Sequence, residues 1–340
     1  MQSSPVRGAK ALASRPGPHH PAAMKSGIPL KIGTRGSALA LAQANEVASR
    51  LRQAHPALAS GDAIEIKIIK TTGDRIQDRT LSEIGGKGLF TKEIEEALIA
   101  GDIDLAVHSM KDVPTFLPEG LEIVSILPRE DPRDALFLRN GGDVGGLADL
   151  PSGAVVGTAS LRRQAQVLAA RPDLTVVPLR GNVGTRLRKL EEGQVDATLL
   201  ALAGLRRLGM TERIDHVLEP EEMLPAVAQG AIGLEARVDD EATLAWLAAL
   251  SDKRSDREVA AERACLAVLD GSCRTPIAAL ARLEGFELWL RGLIAAPDGT
   301  AVIRAEGRAE AEDAVALGRS IGEEIKAKAG SDLLTGIRGG

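Results

Sequence analysis

Apolar and polar positions along the chain follow two rhythms. Short apolar runs at residues 30–33, 64–69, 103–107, 121–127 and 135–138 read as strands. Between them, apolar residues recur at helical spacing over 38–53, where Leu39, Ala42, Val47 and Leu51 share a face, and again over 90–100. The succession then repeats. Strands are expected at 154–157, 175–179 and 195–202, a helix over 161–170, a second that the stretch 180–186 leads into and that ends near Gly193, and a short helix that carries Arg206 and Arg207. Short strands alternating with helices argue for α/β units with largely parallel pairing. The polar, proline-punctuated stretch 128–134 (PREDPRD) reads as a crossing between two lobes, and the small apolar stretch 226–235 (AVAQGAIGLE) as the return to the first. Beyond it come helices over 239–250 and 257–269. Strand patterns over 286–293 and 301–304 are joined by the Pro297-Asp298-Gly299 turn, and a final helix covers 309–329. That last part reads as a small α+β domain with an antiparallel sheet.

Two internal echoes point to a duplicated lobe. Ile32-Gly33-Thr34-Arg35-Gly36-Ser37 is matched by Val156-Gly157-Thr158-Ala159-Ser160, each ending a strand and opening a helix. Gly101-Asp102-Ile103-Asp104 is matched by Gly193-Gln194-Val195-Asp196, each closing a helix and starting a strand. Turn chemistry repeats such short strings by chance, but two echoes in the same order favour duplication. Two similar lobes form a cleft suited to a small ligand.

Composition narrows the ligand. The 340 residues, 44% hydrophobic and 26% charged, are ordinary for a globular protein of two or three domains. With no Tyr, four Phe and two Trp, ring stacking on single-stranded nucleic acid is disfavoured, and a net charge of −5 gives no field toward nucleic acid or anionic membrane. No apolar run approaches the ~18 residues of a membrane span. Cys265 and Cys273 lack metal-ligand spacing, so no metal site is expected, and two such cysteines fit a reducing cytoplasm. Residues 1–28 are basic, acid-free and proline-broken. An organelle transit peptide has that charge pattern, but the shortness and prolines favour a disordered extension, with Met24 as an alternative start.

The chemistry collects at strand ends. His108-Ser109-Met110-Lys111-Asp112-Val113-Pro114 puts a hydroxyl, an ammonium and a carboxylate after an apolar run, before Val-Pro imposes an extended turn. Loops after strand carboxyl ends hold ligands in open α/β sheets, although a Lys-Asp pair also suits a plain solvated turn. Thr34 and Ser37 in one lobe, and Thr158 and Ser160 in the other, sit where helices begin. N-capping explains the hydroxyls. It does not explain Arg35, Arg162, Arg163, Arg180 and Arg186 beside them, because cations there oppose the helix dipole unless an anion binds. Phosphate-loop and dinucleotide signatures are absent, and Gly86-Lys87-Gly88 lacks the required hydroxyl, so carboxylates are the expected anions. Cys265 lies in a helical pattern and reads as a small buried hydrophobe. Cys273, in the loop Gly271-Ser272-Cys273-Arg274-Thr275-Pro276, is a candidate reactive thiol.

HSMKDVP, GTASLRRQ, LRGNVGTRL, LPAVAQGAIGLE and GSCRTPIA, in this order, resemble the porphobilinogen deaminase (hydroxymethylbilane synthase) family, from about Leu30 onward. The resemblance implies a transferase that joins four porphobilinogen molecules head to tail with loss of ammonia, giving hydroxymethylbilane on the way to haem. It also implies a dipyrromethane cofactor held by a thioether to Cys273. Asp112 would stabilise the cationic azafulvene and assist proton transfer. Ser109, Lys111, Thr158, Ser160, Arg162, Arg163, Arg186 and Gly230 would hold the cofactor, and Arg35, Ser37, Lys87, Arg180 and Arg207 the substrate's acetate and propionate groups. The implied fold is two lobes like those of type II periplasmic binding proteins around a cleft, plus a third domain presenting the cysteine loop. Domain 1 would comprise residues 29–128 and 229–248, domain 2 residues 129–228, and domain 3 residues 249–340. Residues 71–88 resemble a flexible loop over the cleft, with Gly85, Gly86 and Gly88 as hinge positions. Glu83 stands where relatives often carry lysine, Ala159 replaces a frequent serine, and residues 1–28 have no counterpart. A cytoplasmic monomer is expected, with porphobilinogen as its partner and neither nucleic acid nor membrane. The competing class is a non-catalytic two-lobed anion-binding protein, which leaves the Cys273 loop without a role.

Overall fold

Two five-stranded sheets repeat one plan. The computed structural model describes residues 29–75, 88–142, 144–269 and 275–339. The first sheet is built from β1 (Leu30–Thr34), β2 (Ile64–Ile68), β3 (Leu105–Ser109), β4 (Leu121–Ile126) and β10 (Ile232–Arg237), in the order β2-β1-β3-β10-β4. The second uses β5 (Asp134–Leu138), β6 (Val155–Gly157), β7 (Thr175–Val177), β8 (Ala197–Ala201) and β9 (His216–Leu218), in the order β7-β6-β8-β5-β9. In each sheet the first three positions pair in parallel, and the fourth strand, β10 or β5, runs antiparallel to both of its neighbours. The largely parallel pairing expected from the alternation is therefore corrected to mixed sheets. The reason is topological: β10 and β5 enter their sheets from chain crossings, not from a βαβ unit, and an apolar run carries no record of direction.

The crossings run through residues 127–133, from β4 to β5, and 219–231, from β9 to β10. They lie against each other, with Glu130 N donating to Gly230 O at 3.3 Å.

Helix α1 (Ala38–Ala54) starts where the Ser37 hydroxyl accepts from Ala40 N, and buries Ala44, Val47, Ala48 and Leu51 against the first sheet. Leu39 and Ala42 lie at the margin of that face, and Leu39 borders the cleft. After the short α2 (Thr72–Arg75), α3 (Lys92–Ala100) ends at Gly101, whose φ of +75° takes the left-handed turn. Asp104 then accepts from Lys31 N at 2.7 Å, so Ile103 is buried in a turn and β3 begins two residues later than its apolar run.

In the second lobe, α4 (Leu161–Ala170), α5 (Val183–Glu191) and α6 (Leu202–Arg207) follow the expected pattern. Helix α7 (Glu241–Ala248) packs Trp246 and Leu247 onto the first lobe. A third, antiparallel sheet, β11 (Ile277–Glu284), β12 (Glu287–Ala295) and β13 (Val302–Glu310), is covered by α8 (Lys253–Val268) and α9 (Ala314–Gly339). β13 extends to Glu310, so the last helix starts later than its periodicity implies. β11 had no counterpart in the sequence pattern, because its alanine-rich IAALARLE lacks β-branched alternation. Cys265 lies in this core, fully buried, with its thiol pushed up to about 12 by burial, as expected for a small hydrophobe. The extension 1–28 lies outside the described residues.

Candidate active site

β3 delivers the chain to a short turn, Met110–Asp112, before Val113 adopts the extended backbone (φ −78°, ψ 127°) that Pro114 requires. The turn is pinned on both sides. Met110 and Val113 are buried in the core of the third sheet together with Leu269 and Ile277. Met110 N donates to Ala231 O at 3.0 Å, and Arg263 of α8 donates to Pro114 O at 2.8 Å. Between these anchors, Lys111 and Asp112 remain half-buried. An open cavity lies beside the turn, bordered by Ser109, Lys111, Arg163, Arg186, Arg207 and Gly230. Ser109 is held by Gln43 of α1, whose Nε2 donates to its hydroxyl at 2.9 Å.

The second lobe supplies the opposing wall. At the start of α4, Ser160 caps the helix and Thr158 Oγ1 accepts from Ser160 N at 3.2 Å. Arg162 and Arg163 then converge on Asp134, the first residue of β5, with N–O distances of 2.7 and 2.8 Å. Asp134 has no exposed surface; burial pushes its carboxyl up, but the two guanidiniums outweigh that and hold it well below the usual range. Arg162 gives a second bond to Leu224 O at 2.9 Å and Arg163 one to Leu199 O at 2.8 Å, so both are committed to the framework as well as to the wall.

Arg186, on the first turns of α5, shares with Arg162 and Arg163 a buried, unpartnered Nε but, among the described residues, pairs with no carboxylate. Burial together with Arg163 lowers its pKa to about 10 against the pull of Asp112. Lys111 is lowered to about 8, chiefly by burial, with Asp112 and Asp134 opposing and Arg163 and Arg186 adding to the shift. Arg207 reaches Glu46 at 3.5 Å and donates to Gly230 O at 3.0 Å. Arg180 has a buried NH1 without a hydrogen-bond partner, Arg35 stacks over the Phe90 ring at 4.2 Å, and Ser37 is engaged as a helix cap. Cations thus outnumber carboxylates around the cavity, and several of their buried N–H groups have no acceptor. Such a surface is chemically suited to a ligand bearing carboxylates.

Cys273 and Lys87 lie outside the described residues, as do Glu83, Gly85 and Gly86. Gly88, with φ of +80°, lies inside them. Reading the sequence missed Asp134 and Gln229, which join the two walls, and Arg129 and Glu262, which brace them. Gln229 carried a usable signal, being a lone amide in a run of small apolar residues.

A family model described as porphobilinogen deaminase, dipyromethane cofactor binding domain, matches residues 30–245, and one described as porphobilinogen deaminase, C-terminal domain, matches residues 257–327. The porphobilinogen deaminase of Paracoccus denitrificans is 58% identical over 305 residues, covering 90% of this chain and 96% of that one. The protein of that name from Nitrobacter hamburgensis is 55% identical, covering 89% and 95%. The chloroplastic one from Oryza sativa is 54% identical, covering 91% and 86%. Among solved structures, a Salmonella typhimurium periplasmic binding protein with high arginine specificity aligns with a TM-score of 0.37 at 15% identity, covering 67% of this chain and 94% of that one.

Proposed function

The chain belongs to the porphobilinogen deaminase family and carries that family's dipyrromethane cofactor-binding domain, and from this premise we propose that the cleft beside Asp112 is where porphobilinogen units are joined, with release of ammonia. The observation that carries the reading is the cationic lining of Arg163, Arg186, Arg207 and Lys111 next to the turn of the half-buried Asp112, whose charge acts on Lys111 and Arg186.

The residues fit a dipyrromethane. Each pyrrole unit brings an acetate and a propionate, and the buried, partnerless N–H groups of Arg163, Arg180 and Arg186 are donors in want of such acceptors. Arg186, Lys111, Ser109, Thr158, Ser160 and the Gly230 backbone would hold the cofactor, with Arg162 and Arg163 set by Asp134. Cys273 would attach it by a thioether. Leu269 and Ile277, which precede and follow Cys273 in the chain, share the core that anchors Met110 and Val113. When bound, the dipyrromethane supplies the free pyrrole α-position to which a new unit is joined. Asp112 stabilises the positive charge that develops on the incoming pyrrole as its ammonia leaves, and takes the proton released on coupling. Arg35, Ser37, Lys87, Arg180 and Arg207 orient the incoming carboxylates.

We assign residues 29–128 and 229–248 to domain 1, 129–228 to domain 2 and 249–340 to domain 3. The overall reading is a transferase of haem biosynthesis, acting as a monomer in the cytoplasm, a compartment consistent with a chain of only two cysteines. The decisive experiment is the intact mass of the protein together with porphobilinogen consumption. A two-pyrrole adduct present in the wild type and absent in Cys273→Ser is expected. An unmodified wild type that never consumes porphobilinogen would overturn the proposal in favour of a non-catalytic anion-binding protein.

A further inference from the structure

Gln229 lies in the returning crossing, 1% exposed, between two residues with left-handed backbone: Ala228 at φ +57° and Gly230 at φ +91°. Alanine rarely adopts that conformation and keeps it only where its surroundings impose it. Here they do. Ala228 N donates to Glu262 at 2.6 Å, and Arg129 Nε donates to Gln229 O at 2.9 Å. The Glu130 carbonyl fills the space a Cβ on Gly230 would occupy, at 2.2 Å.

This twisted backbone turns the Gln229 amide inward. Its Nε2 donates to Pro132 O at 2.7 Å and to Asp134 Oδ1 at 2.8 Å. Two acceptors on that side settle which end is nitrogen, so Oε1 faces Lys111 Nζ, which donates to it at 3.4 Å. One buried side chain therefore touches the ammonium beside Asp112 in the first lobe and the carboxylate that orients Arg162 and Arg163 in the second.

We propose that Gln229 is a positioning residue for the condensation: its amide locks the Lys111–Asp112 turn to the Asp134–Arg162–Arg163 cluster, so that the cations of both lobes meet the substrate's carboxylates in one fixed setting. The proposal rests on reading the cleft as the porphobilinogen site. The charged groups facing Lys111 are Asp112 in its own turn, Asp134 from β5, Arg163 from α4 and Arg186 from α5. Among them Gln229 is the neutral acceptor for the ammonium. Removing that acceptor disfavours the protonated form, and replacing it with a carboxylate favours it.

The test uses the full chain as Gln229→Met and Gln229→Glu. Lys111 is titrated by its rate of acetylation with acetic anhydride, read by peptide mass spectrometry, alongside kcat, KM and thermal stability. The Lys111 midpoint is expected to fall in Gln229→Met and rise in Gln229→Glu, each by about half a unit or more. In the folded variants kcat falls about tenfold or more while KM changes less, because the cations are misplaced and not removed. Unmoved midpoints in both variants, or parental kcat in both, would overturn the proposal. A parent that titrates Lys111 as described but consumes no porphobilinogen would instead sink the functional reading.

Discussion

Arg129 and Glu262 form a buried two-pronged ion pair, with N–O distances of 2.7 and 3.1 Å, that ties the outgoing crossing to the helix under the third sheet. Glu262 also accepts from Ala228 N in the returning crossing and from Ala281 N in β11, so one carboxylate joins three parts of the chain. Arg129→Met leaves that carboxylate buried without its cation and is expected to cost about 3–5 kcal/mol in urea unfolding. Adding Glu262→Gln to it should cost less than the sum of the two single changes, since the orphaned charge is then gone.

Asp112 sits between two anchored neighbours, so its side chain can be removed without disturbing the turn. Met110 and Val113 supply the packing, and Asp112 itself is half-buried. Asp112→Ala is expected to retain the adduct mass and the melting temperature while porphobilinogen consumption falls roughly 10²–10⁴-fold. Normal turnover in that variant would remove Asp112 from the mechanism.

Arg186 separates binding from stability. Its buried Nε has no acceptor, and burial with Arg163 already lowers its pKa to about 10, so in the free protein it is a cation held at a cost. Arg186→Met should therefore leave the melting temperature unchanged or higher. A lost charge-assisted hydrogen bond of about 1.5–3 kcal/mol predicts a KM for porphobilinogen raised roughly 10–100-fold. A melting temperature that drops sharply would instead make Arg186 a structural residue.

How far the sequence announced this arrangement depends on the residue. Helix α4 was readable to its ends, because Ser160 caps it and its apolar face repeats at helical spacing. The arginines announced an anion site because they gather where helix dipoles oppose them. Their division of labour was not readable. Arg162 and Arg163 turn to Asp134 while Arg186, among the described residues, pairs with no carboxylate, and that depends on β5 placing one carboxylate across from α4. The small apolar run 226–235 announced the return to the first lobe, but no periodicity reveals that β10 then lies antiparallel beside β3. Local pattern reports the face a residue buries, and only the tertiary fold reports against what.

Gly230 is expected to tolerate no side chain. Its φ is +91°, and a Cβ would sit 2.2 Å from the Glu130 carbonyl oxygen, a backbone atom that cannot swing aside. Gly153, at φ +75° with open space around it, provides the control. Gly153→Ala should cost only about 1 kcal/mol of backbone strain. Gly230→Ala adds a displacement of the two crossings to a strain of about 1–3 kcal/mol, so both stability and kcat should fall. Equal losses in the two variants would mean that the contact with Glu130 is immaterial.

Lys111 gives the cleft a pH signature whose sign follows from its burial. In the ligand-free protein its pKa is about 8 against an ordinary 10.5, so between those values the unfolded chain holds more protons than the folded one. Stability should therefore rise with pH across that window, the burial penalty being fully present below about 8 and gone above 10.5. Carboxylates bound beside the ammonium favour its charged form and draw the folded pKa back up, which narrows the window. Urea unfolding at a series of pH values should show the rise in Cys273→Ser, which lacks the cofactor in our reading, and a weaker rise in the loaded wild type. Identical curves for the two proteins would mean that Lys111 makes no contact with the cofactor's carboxylates, and the cationic wall would then begin at Arg163 and Arg186 instead.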